Sequence, residues 1–259
     1  MKILTLNTHS IIEDNYERKF DIFTDAIFRL RPDVIAMQEV NQSIESPFVA
    51  LGDKFNVRRD NHALRVCKEL NQLGLDYNYF WRGIKLAYGK FEEGVAIITN
   101  MKVTATDCVL ISKIDDVLDW HTRYALGVKI NDEWFYSIHT NRYDDAIDPF
   151  YEEWQRFETH VWKKEKVWVM GDFNTDAKNE EYKKVMASDW YDTFSIAEKK
   201  DDGTTVRKPI DGWRDEDACD MRIDYILTNR KIGIKSSEVI FNGLNEEVVS
   251  DHFGILVEV

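Results

Sequence analysis

The most informative stretch of this 259-residue sequence is VWVMGDFN, at residues 167–174. Residues 167–170 are a continuous apolar run, which is typical of a β-strand covered on both faces. The run passes directly into Gly171, Asp172 and Asn174, so polar side chains stand at the carboxyl end of the predicted strand. An Asp that follows a strand is by itself more often a turn residue or a helix cap than a catalytic group. Its meaning therefore depends on what accompanies it elsewhere in the chain.

Other apolar runs also end beside polar residues. The predicted strands cover residues 2–7, 34–37, 95–99, 124–130, 134–139, 167–170, 223–227 and 255–259. Three helices are indicated by apolar residues at spacings of three and four: Tyr16, Phe20, Phe23, Ile27 and Leu30; Ala63, Val66, Leu70 and Leu73, opened by Asn61; and Phe150, Trp154, Phe157 and Val161. No linker or repeat interrupts the pattern. We therefore predict a single domain over residues 1–259, with sheets packed face to face and helices outside them.

Eight polar residues lie at or near the ends of predicted strands. They are Asn7, Glu39, His139, Asp172, Asn174, Asp224, Asp251 and His252. If the strands lie side by side, these ends converge on one rim and bring together carboxylates, amides and imidazoles. Mg²⁺ prefers oxygen ligands and keeps several waters, so such a rim suits it. The sequence predicts a Mg²⁺ site, for which Mn²⁺ could substitute.

Six short motifs resemble, in their order, those of the endonuclease/exonuclease/phosphatase superfamily. They are LNT (6–8), QEV (38–40), SIHT (137–140), GDFN (171–174), RIDYI (222–226) and SDH (250–252). The resemblance implies a DNase I-like α+β fold, a four-layered sandwich of two packed central β-sheets flanked by helices. It also implies a Mg-dependent phosphoric ester hydrolase with one site at the rim of the sandwich.

The resemblance gives each polar residue an expected role. Glu39 would be the main metal ligand, with Asn7 helping to place the metal or the phosphate and Asp251 close to the metal. Asp172 would orient and deprotonate the attacking water. Asn174 would hold the phosphate and keep that carboxylate aimed.

The histidines of the motifs would act on the phosphate and the leaving group. His252, paired with Asp224, would donate to a phosphoryl oxygen, and the pairing would favour the imidazolium. His139 resembles the histidine of the deoxyribonuclease I and sphingomyelinase branches and would protonate or stabilise the leaving group. His9 departs from the acidic residue found there in some nucleases of the family, and its role stays open.

Two alternatives stand side by side for Glu92 and Glu93. The pair resembles an acidic position that backs the histidine in some family members, and a solvated pair is an equal alternative. Arg142, three residues past His139, could clamp a terminal phosphate as a substrate-binding residue or be an exposed surface charge.

The net charge of −13 bears on the substrate, because proteins that grip nucleic acid draw affinity from Lys and Arg. Nucleic acid is therefore an unlikely partner, and the sequence gives no sign of an exposed apolar hairpin for work at a membrane. A small phosphorylated metabolite remains, with aromatic candidates for stacking on sugar rings. These are Tyr77, Tyr79, Phe80, Trp81, Tyr88, Trp120, Tyr143 and Trp213.

The segments LTLNTHS (4–10) and VIAMQEVNQ (34–42) resemble a small bacterial branch that includes maltose 6'-phosphate phosphatase. We therefore expect a phosphomonoesterase acting on a small soluble sugar phosphate by direct water attack. The alternatives are a DNase I-like nuclease acting on nucleic acid diesters and a sphingomyelinase-like phospholipid phosphodiesterase.

The chain has neither a signal-peptide pattern nor an apolar run long enough to cross a bilayer, so a cytoplasmic protein is expected. Cys67, Cys108 and Cys219 are odd in number and widely spaced. They predict three buried thiols rather than disulfides or a zinc site.

Overall fold

The computed structural model describes residues 1–207 and 220–259, and strands supply its framework. The strands are β1 (Lys2–Asn7), β2 (Val34–Ser43), β3 (Phe48–Ala50), β4 (Val57–Arg58), β5 (Asn78–Ala87), β6 (Phe91–Thr99), β7 (Ala105–Leu110), β8 (Tyr124–Ile130), β9 (Glu133–His139), β10 (Val167–Asp172), β11 (Tyr191–Asp192), β12 (Ala197–Lys200), β13 (Asp224–Thr228), β14 (Ile234–Ile240) and β15 (Gly254–Glu258). The helices are α1 (Tyr16–Leu30), α2 (His62–Gln72), α3 (Phe150–Val161), α4 (Glu180–Met186) and α5 (Thr193–Ile196).

Two large sheets contain most of the strands. The first has seven strands in the order β12-β14-β15-β1-β2-β6-β5, and the second has six in the order β11-β13-β10-β9-β8-β7. Each sheet has a parallel pair at its centre, β1 with β2 and β9 with β10. Antiparallel strands flank both pairs. Strands β3 and β4 form a separate two-stranded ribbon.

Apolar side chains fill the space between the sheets and cover both outer faces. Between the sheets, the rings of Phe135 and Trp168 stack with centroids 6.0 Å apart. Helices α1 and α2 pack on the seven-stranded sheet, and α3 and α4 pack on the six-stranded sheet. The order of layers is helix, sheet, sheet, helix. The predicted four-layered α+β sandwich is confirmed.

The helices begin and end where the sequence supplies the appropriate groups. Asn61 caps α2 by accepting a hydrogen bond from the backbone N–H of Leu64 at 3.1 Å. Helix α1 ends because Arg31 takes a left-handed conformation, with φ of 53°, just before Pro32. Helix α3 follows Pro149 and carries acidic residues in its first turn, where their negative charge interacts favourably with the helix dipole.

Several elements were not predicted from the sequence. Strand β5 lies at an edge of its sheet, and its pairing with β6 shifts register between Gly83 and Lys85, so its apolar residues do not alternate regularly. Strand β2 continues to Ser43, well past the predicted end, through another register shift between Met37 and Val40. Both irregularities re-aim side chains toward one end of the sandwich.

In the ribbon of β3 and β4, one strand is exposed and the other is buried, which the sequence analysis did not predict. All three residues of β3 are exposed, Phe48 by 59%, and nearby Leu51 is 92% exposed. Between the two strands the chain bends at residues 53–55. Singly exposed apolar residues are common, but a group of them is a feature that function can use.

The cysteine expectation is also partly wrong. Cys67 is a buried residue of α2, but Cys108 is exposed because it lies on β7, the edge strand of the six-stranded sheet. Cys219 lies outside the described residues. Among residues 1–207 and 220–259, none of the helices combines the length and apolar character needed to span a bilayer.

Candidate active site

The polar residues predicted from the strand ends lie together at one edge of the sandwich. Strands β9 and β10 run parallel, so their last residues, His139 and Asp172, are partners in register. Strand β13 runs antiparallel to β10, so its first residue, Asp224, is the partner of Asp172 on the other side. The six-stranded sheet therefore delivers two carboxylates and an imidazole side by side.

The seven-stranded sheet delivers the remaining residues to the same edge. Asn7 ends β1, and His252 precedes β15, which runs antiparallel to β1. Together the two sheets line a cleft of about 250 Å³. Its lining residues are His9, Glu39, Lys85, Tyr88, Glu93, Trp120, Arg123, His139, Arg142, Asp172, Asn174, Asp251 and His252.

Unusual backbone conformations hold three residues at the cleft. Gly171 has φ of 149°, and an added Cβ would lie 1.9 Å from the carbonyl oxygen of Ile138, so only glycine fits before Asp172. Glu39, with φ of 49°, lies in the register shift of β2, and Asn174 has φ of 45°. Non-glycine residues rarely adopt these values, and such strain concentrates at functional sites.

Asn7 connects the two sheets at the site. Its Nδ2 donates to Oε1 of Glu39 at 2.9 Å and to Oδ2 of Asp172 at 3.1 Å. Its Oδ1 accepts from the backbone N–H of His9 at 3.2 Å. In this arrangement the amide positions two carboxylates and turns its oxygen toward the backbone, so Asn7 acts here as a hydrogen-bond donor.

Asp172 is almost fully buried, and burial raises the pKa of its carboxyl to about 7. Asp224 adds to the increase by repulsion, while His252, the N–H of Asn174 and Asn7 oppose it. The Asn174 N–H donates to Oδ1 of Asp172 at 2.8 Å. A carboxylate whose pKa lies near neutrality is suited to accept a proton.

His252 lies between two carboxylates. Its Nδ1 is 3.0 Å from Oδ2 of Asp224, which is the pairing implied by the resemblance, and its Nε2 is 3.7 Å from Oδ2 of Asp172. Burial alone would lower the pKa of His252, but Asp224 and Asp172 outweigh it and raise the pKa well above its usual value. The ring is therefore an imidazolium at neutral pH.

His139 is in the opposite state. Burial lowers its pKa well below the usual value, and the positive charges of Arg123, Lys85 and His252 lower it further. Nη1 of Arg123, which can only donate, lies 3.4 Å from Nδ1 of His139, and the neutral ring can accept either there or at Nε2 but not at both. Nε2 lies 3.2 Å from Nδ2 of Asn174 and 3.5 Å from Oδ2 of Asp172.

The acidic groups of the cleft form a donor set that fits a hard divalent cation. The pKa of Glu39 is raised, first by burial and then by repulsion from Glu93 and Asp251. Carboxylates that disfavour one another's charge gain most from a bound cation. Glu39 and Asp251 would hold it, since both offer carboxylate oxygens to the cleft.

The structure shows the surroundings of His9, whose role the sequence left open. Nδ1 of His9 is 2.8 Å from Oε1 of Glu13, and a ligand atom from each of these two residues and from Asp251 lies within 4.8 Å of the others. Burial opposes the charge on His9, but Glu13, Glu39 and Asp251 raise the pKa of His9 to about 9. His9 therefore places a positive charge where some nucleases of the superfamily have an acidic residue.

Glu92 and Glu93 are both buried, so the solvated-pair alternative is wrong. Glu92 forms a bidentate ion pair with Arg58, at 2.7 and 2.8 Å, which places it away from the cleft. Oε1 of Glu93 lies 3.3 Å from Nζ of Lys85 within the cleft. Neither of them forms an ion pair or hydrogen bond with a histidine of the described chain.

Lys85 and Arg123 line the cleft and were missed by the sequence analysis. Lys85 follows a strand irregularity, and Arg123 stands alone before β8, so neither belongs to a motif. The available signal was local. Each is a single cation inside an otherwise apolar or small-residue stretch, where a buried charge needs a reason.

The structure also shows which candidates for substrate contact line the cleft and which do not. Arg142 lies at the rim of the cleft, where it pairs with Asp144 at 2.9 Å. Among the aromatic candidates, Tyr88 and Trp120 line the cleft and are 63% and 57% exposed. Of the others, Tyr77 is buried, Tyr79, Phe80, Trp81 and Tyr143 pack against apolar clusters, and Trp213 lies outside the described residues.

Comparisons with known proteins show the family and agree with the fold. A model of the Endonuclease/Exonuclease/phosphatase family matches residues 4–252. An endonuclease/exonuclease/phosphatase family protein from Leptotrichia buccalis has 38% sequence identity and a TM-score of 0.91, and the match covers 100% of this chain and 98% of that one. A sequence comparison with curated proteins gave no match.

More distant solved structures have the same fold. A mannosyl-6-phosphatase from Bacteroides thetaiotaomicron has 16% identity and a TM-score of 0.70, with 100% of this chain and 98% of that one covered. A 3' phosphatase from Neisseria, bound to a product DNA hairpin, has 16% identity and a TM-score of 0.65 over the same shares of the two chains. These similarities establish the fold alone.

Proposed function

We propose that this chain, which belongs to the endonuclease/exonuclease/phosphatase family, is a Mg²⁺-dependent phosphomonoesterase that acts on a small soluble sugar phosphate. The convergence of Asp172, Asn174, His252 and Glu39 on one cleft carries this proposal. These residues come from distant parts of the chain, and a binding protein that merely reused the fold would have no need to retain all of them. The set combines a base, phosphate donors and a metal ligand.

The metal and the protein would divide the work on the phosphate. When bound by Glu39 and Asp251, Mg²⁺ would stabilise negative charge on a phosphoryl oxygen as a Lewis acid. Asn7 holds the carboxylates of Glu39 and Asp172 in place through its two hydrogen bonds. The His252 imidazolium donates to a second phosphoryl oxygen, and its charge is maintained by Asp224.

Asp172 would act on the attacking water. As the water oxygen forms a bond to phosphorus, the carboxylate accepts one proton from the water, and the phosphorus–oxygen bond of the ester breaks. The leaving alkoxide takes a proton from solvent water, Asp172 returns its proton to the solvent, and the products are the sugar and inorganic phosphate. Asn174 keeps Asp172 aimed, since its backbone N–H donates to Oδ1.

His139 would stabilise the leaving oxygen by hydrogen bonding. Its low pKa leaves the ring neutral at pH 7, so it has no spare proton to give. Its Nε2 is on the side of Asn174 and Asp172, where the reacting groups would lie, and would carry the N–H that faces the leaving oxygen. The neutral ring therefore favours stabilisation over protonation of the leaving group.

The cleft supports a small substrate of mixed character. A volume of about 250 Å³ fits a compact ligand. The exposed rings of Tyr88 and Trp120 stand at its mouth, where a sugar ring could stack. The basic residues inside the cleft would face the phosphate.

A substrate panel tests this proposal. Phosphorylated sugars, a supercoiled plasmid and a choline phospholipid would each be incubated with the protein in Mg²⁺ and in excess chelator. We expect phosphate release from a phosphorylated sugar, little plasmid nicking, and loss of activity both in chelator and in Asp172→Ala. Efficient nicking without sugar-phosphate hydrolysis would overturn the proposal.

One observation favours a second candidate, a phosphodiesterase acting on lipid headgroups. The exposed apolar residues of the β3–β4 ribbon could contact a lipid surface. The choline phospholipid in the panel, presented in vesicles, tests it. Cleavage there that falls on Phe48→Ser, with sugar phosphates inert, would favour the second candidate over the first.

A further inference from the structure

Arg123 is a buried cation in the wall of the catalytic cleft. Its side chain is 6% exposed and lies among His139, Asp172 and Asn174 in the lining of the same cleft. Nε donates to Oδ1 of Asn141 at 2.9 Å, and Nη1 lies 3.4 Å from Nδ1 of His139. Both acceptors are neutral.

Arg123 forms no ion pair in the part of the chain that the structure describes, although the buried carboxyl of Glu153, on the far side of Asn141, attracts its charge. None of the carboxylates of residues 1–207 and 220–259 lies within ion-pair distance of its guanidinium, and Nη2 makes no hydrogen bond to these residues. An arginine is rarely buried without an acidic partner, because the desolvated charge is costly unless it is paired. The missing partner is expected to be an anion that enters the cleft.

Lys85 adds a second cation to the same wall. It is 7% exposed, and its Nζ donates to the carbonyl oxygen of Trp120 at 3.0 Å and lies 3.3 Å from Oε1 of Glu93. Burial lowers the pKa of Lys85, and the charge of Arg123 lowers it further. An anion bound between the two would relieve both effects.

The guanidinium is held in position from behind. Asn141, whose oxygen accepts from Arg123, donates from Nδ2 to Oε1 of Glu153 at 2.9 Å and from its backbone N–H to Oε2 at 2.7 Å. Glu153 is completely buried in α3, so it fixes the amide orientation. The backbone N–H of Arg123 donates to Oγ of Ser112 at 2.8 Å. These contacts leave Arg123 little freedom and little entropy to lose on binding.

We propose that Arg123, assisted by Lys85, binds the second negative charge of a phosphomonoester and thereby selects monoesters over diesters. A monoester phosphoryl group carries nearly two negative charges at pH 7, whereas a diester carries one and has an ester group in place of the other charged oxygen. The planar guanidinium can hold two phosphoryl oxygens at once. The proposal rests on the proposed function and names the residues that set its substrate class.

Two chromogenic substrates with the same leaving group test the proposal. The values of kcat/KM would be measured in Mg²⁺ at pH 8 for p-nitrophenyl phosphate, a monoester, and bis(p-nitrophenyl) phosphate, a diester. For Arg123→Gln we expect the monoester value to fall roughly 10- to 150-fold, the range for losing a charged hydrogen bond, and the diester value to fall less than about 3-fold. Inhibition by inorganic phosphate should weaken by a similar factor to the monoester value.

Lys85→Met and Arg29→Gln complete the experiment. Lys85→Met keeps the buried stem without the charge and should shift the same ratio in the same direction, which covers the case in which Arg123→Gln fails to fold. Arg29→Gln removes an equal charge from an exposed pair with Asp25 and Glu246, so it should leave the ratio unchanged.

The possible results separate this inference from the proposed function. A wild-type protein that prefers the diester overturns the proposed function. If the wild type prefers the monoester, but Arg123→Gln and Lys85→Met lose both activities equally or keep the original ratio, this inference alone is overturned. A selective loss of the monoester reaction, with weaker phosphate inhibition, supports it.

Discussion

Replacing Asp172 by Asn should remove catalysis and, in chelator, make the protein less sensitive to alkaline pH. The physical reason is the environment of the carboxyl, which is almost fully buried beside Asp224 and has its pKa raised to about 7 from 3.8. A carboxyl whose pKa is higher in the folded than in the unfolded state favours folding when it is protonated. Its contribution is complete below about pH 4 and is lost as the pH rises through 7.

The size of the effect follows from the two pKa values. Above pH 7, where both states are ionised, the charge on Asp172 costs the folded state about 4 kcal/mol. At pH 5 the cost is about 2 kcal/mol, because only the unfolded state has fully lost its proton. Asp172→Asn also changes hydrogen bonds with Asn7 and Asn174, but these changes are nearly independent of pH. The stability difference between variant and wild type should therefore move by about 2 to 3 kcal/mol in favour of the variant between pH 5 and pH 8.

Urea unfolding in excess chelator, monitored by circular dichroism at pH 5 and pH 8, measures this difference. Asp25→Asn, at an exposed position of α1, is the matched control and should show a flat difference. In Mg²⁺ the stability advantage of Asp172→Asn should shrink, since a cation near the carboxylates offsets their repulsion. A stability difference for Asp172→Asn that stays constant with pH would refute the claim that the folded state disfavours ionisation of this carboxyl.

Three further outcomes are expected. Glu39→Gln should weaken Mg²⁺ activation roughly 10- to 100-fold in a metal titration of phosphate release, and high Mg²⁺ should restore part of the activity. An Mg²⁺ affinity equal to that of the wild type would exclude Glu39 as a ligand. Trp120→Ala should raise KM for a phosphorylated sugar roughly 5- to 20-fold with less change in kcat, and should leave KM for p-nitrophenyl phosphate less affected. Acidification from pH 7 to pH 5 should lower the free energy of unfolding by about 2 kcal/mol through His62. Burial lowers the pKa of His62 from 6.5 to about 3, so only the unfolded state takes up a proton in this range. In urea unfolding, His62→Gln should lack this part of the acid sensitivity.

The position of the candidate site residues could be predicted from the sequence because each lies near the end of an apolar strand. Asp172 and His139 end parallel strands, and Asp224 begins an antiparallel one, so simple topology brings them to one edge. The strand patterns required no knowledge of long-range contacts. The same reasoning gave the layers of the fold, because the apolar faces of three predicted helices needed sheets to cover.

Glu92 and Glu93 show a prediction that the sequence could have supported but did not. Adjacent residues of a strand point to opposite faces, so the pair could not serve one purpose. In the structure Glu92 reaches Arg58 on one side of β6, while Glu93 reaches Lys85 in the cleft. Recognising β6 as beginning at Phe91, four residues earlier than predicted, would have separated their roles.

Arg123 and Lys85 could not be found in this way, because what distinguishes them is their place in the folded cleft. Arg123 forms no ion pair with the described residues, and Lys85 shares the cleft with Glu93. Arg58 is as buried as Arg123, yet it forms a bidentate pair with Glu92. No local pattern tells these two arginines apart. Only the fold shows that one has its counter-charge within the protein and the other faces a cleft.

The same contrast explains why the net charge of −13 does not describe the charge inside the cleft. Total charge averages over the whole surface, whereas a phosphate responds to the groups within a few ångströms, since more distant exposed charges are screened. In this cleft the carboxylates of Glu39 and Asp251 are the candidates to hold a cation, and Arg123, which forms no ion pair with the described residues, lines the wall together with Lys85. A phosphoryl dianion placed between a bound cation and that wall would satisfy both. On this proposal the acidic surface would disfavour long polyanions, and the buried cations would determine how tightly a small phosphate binds.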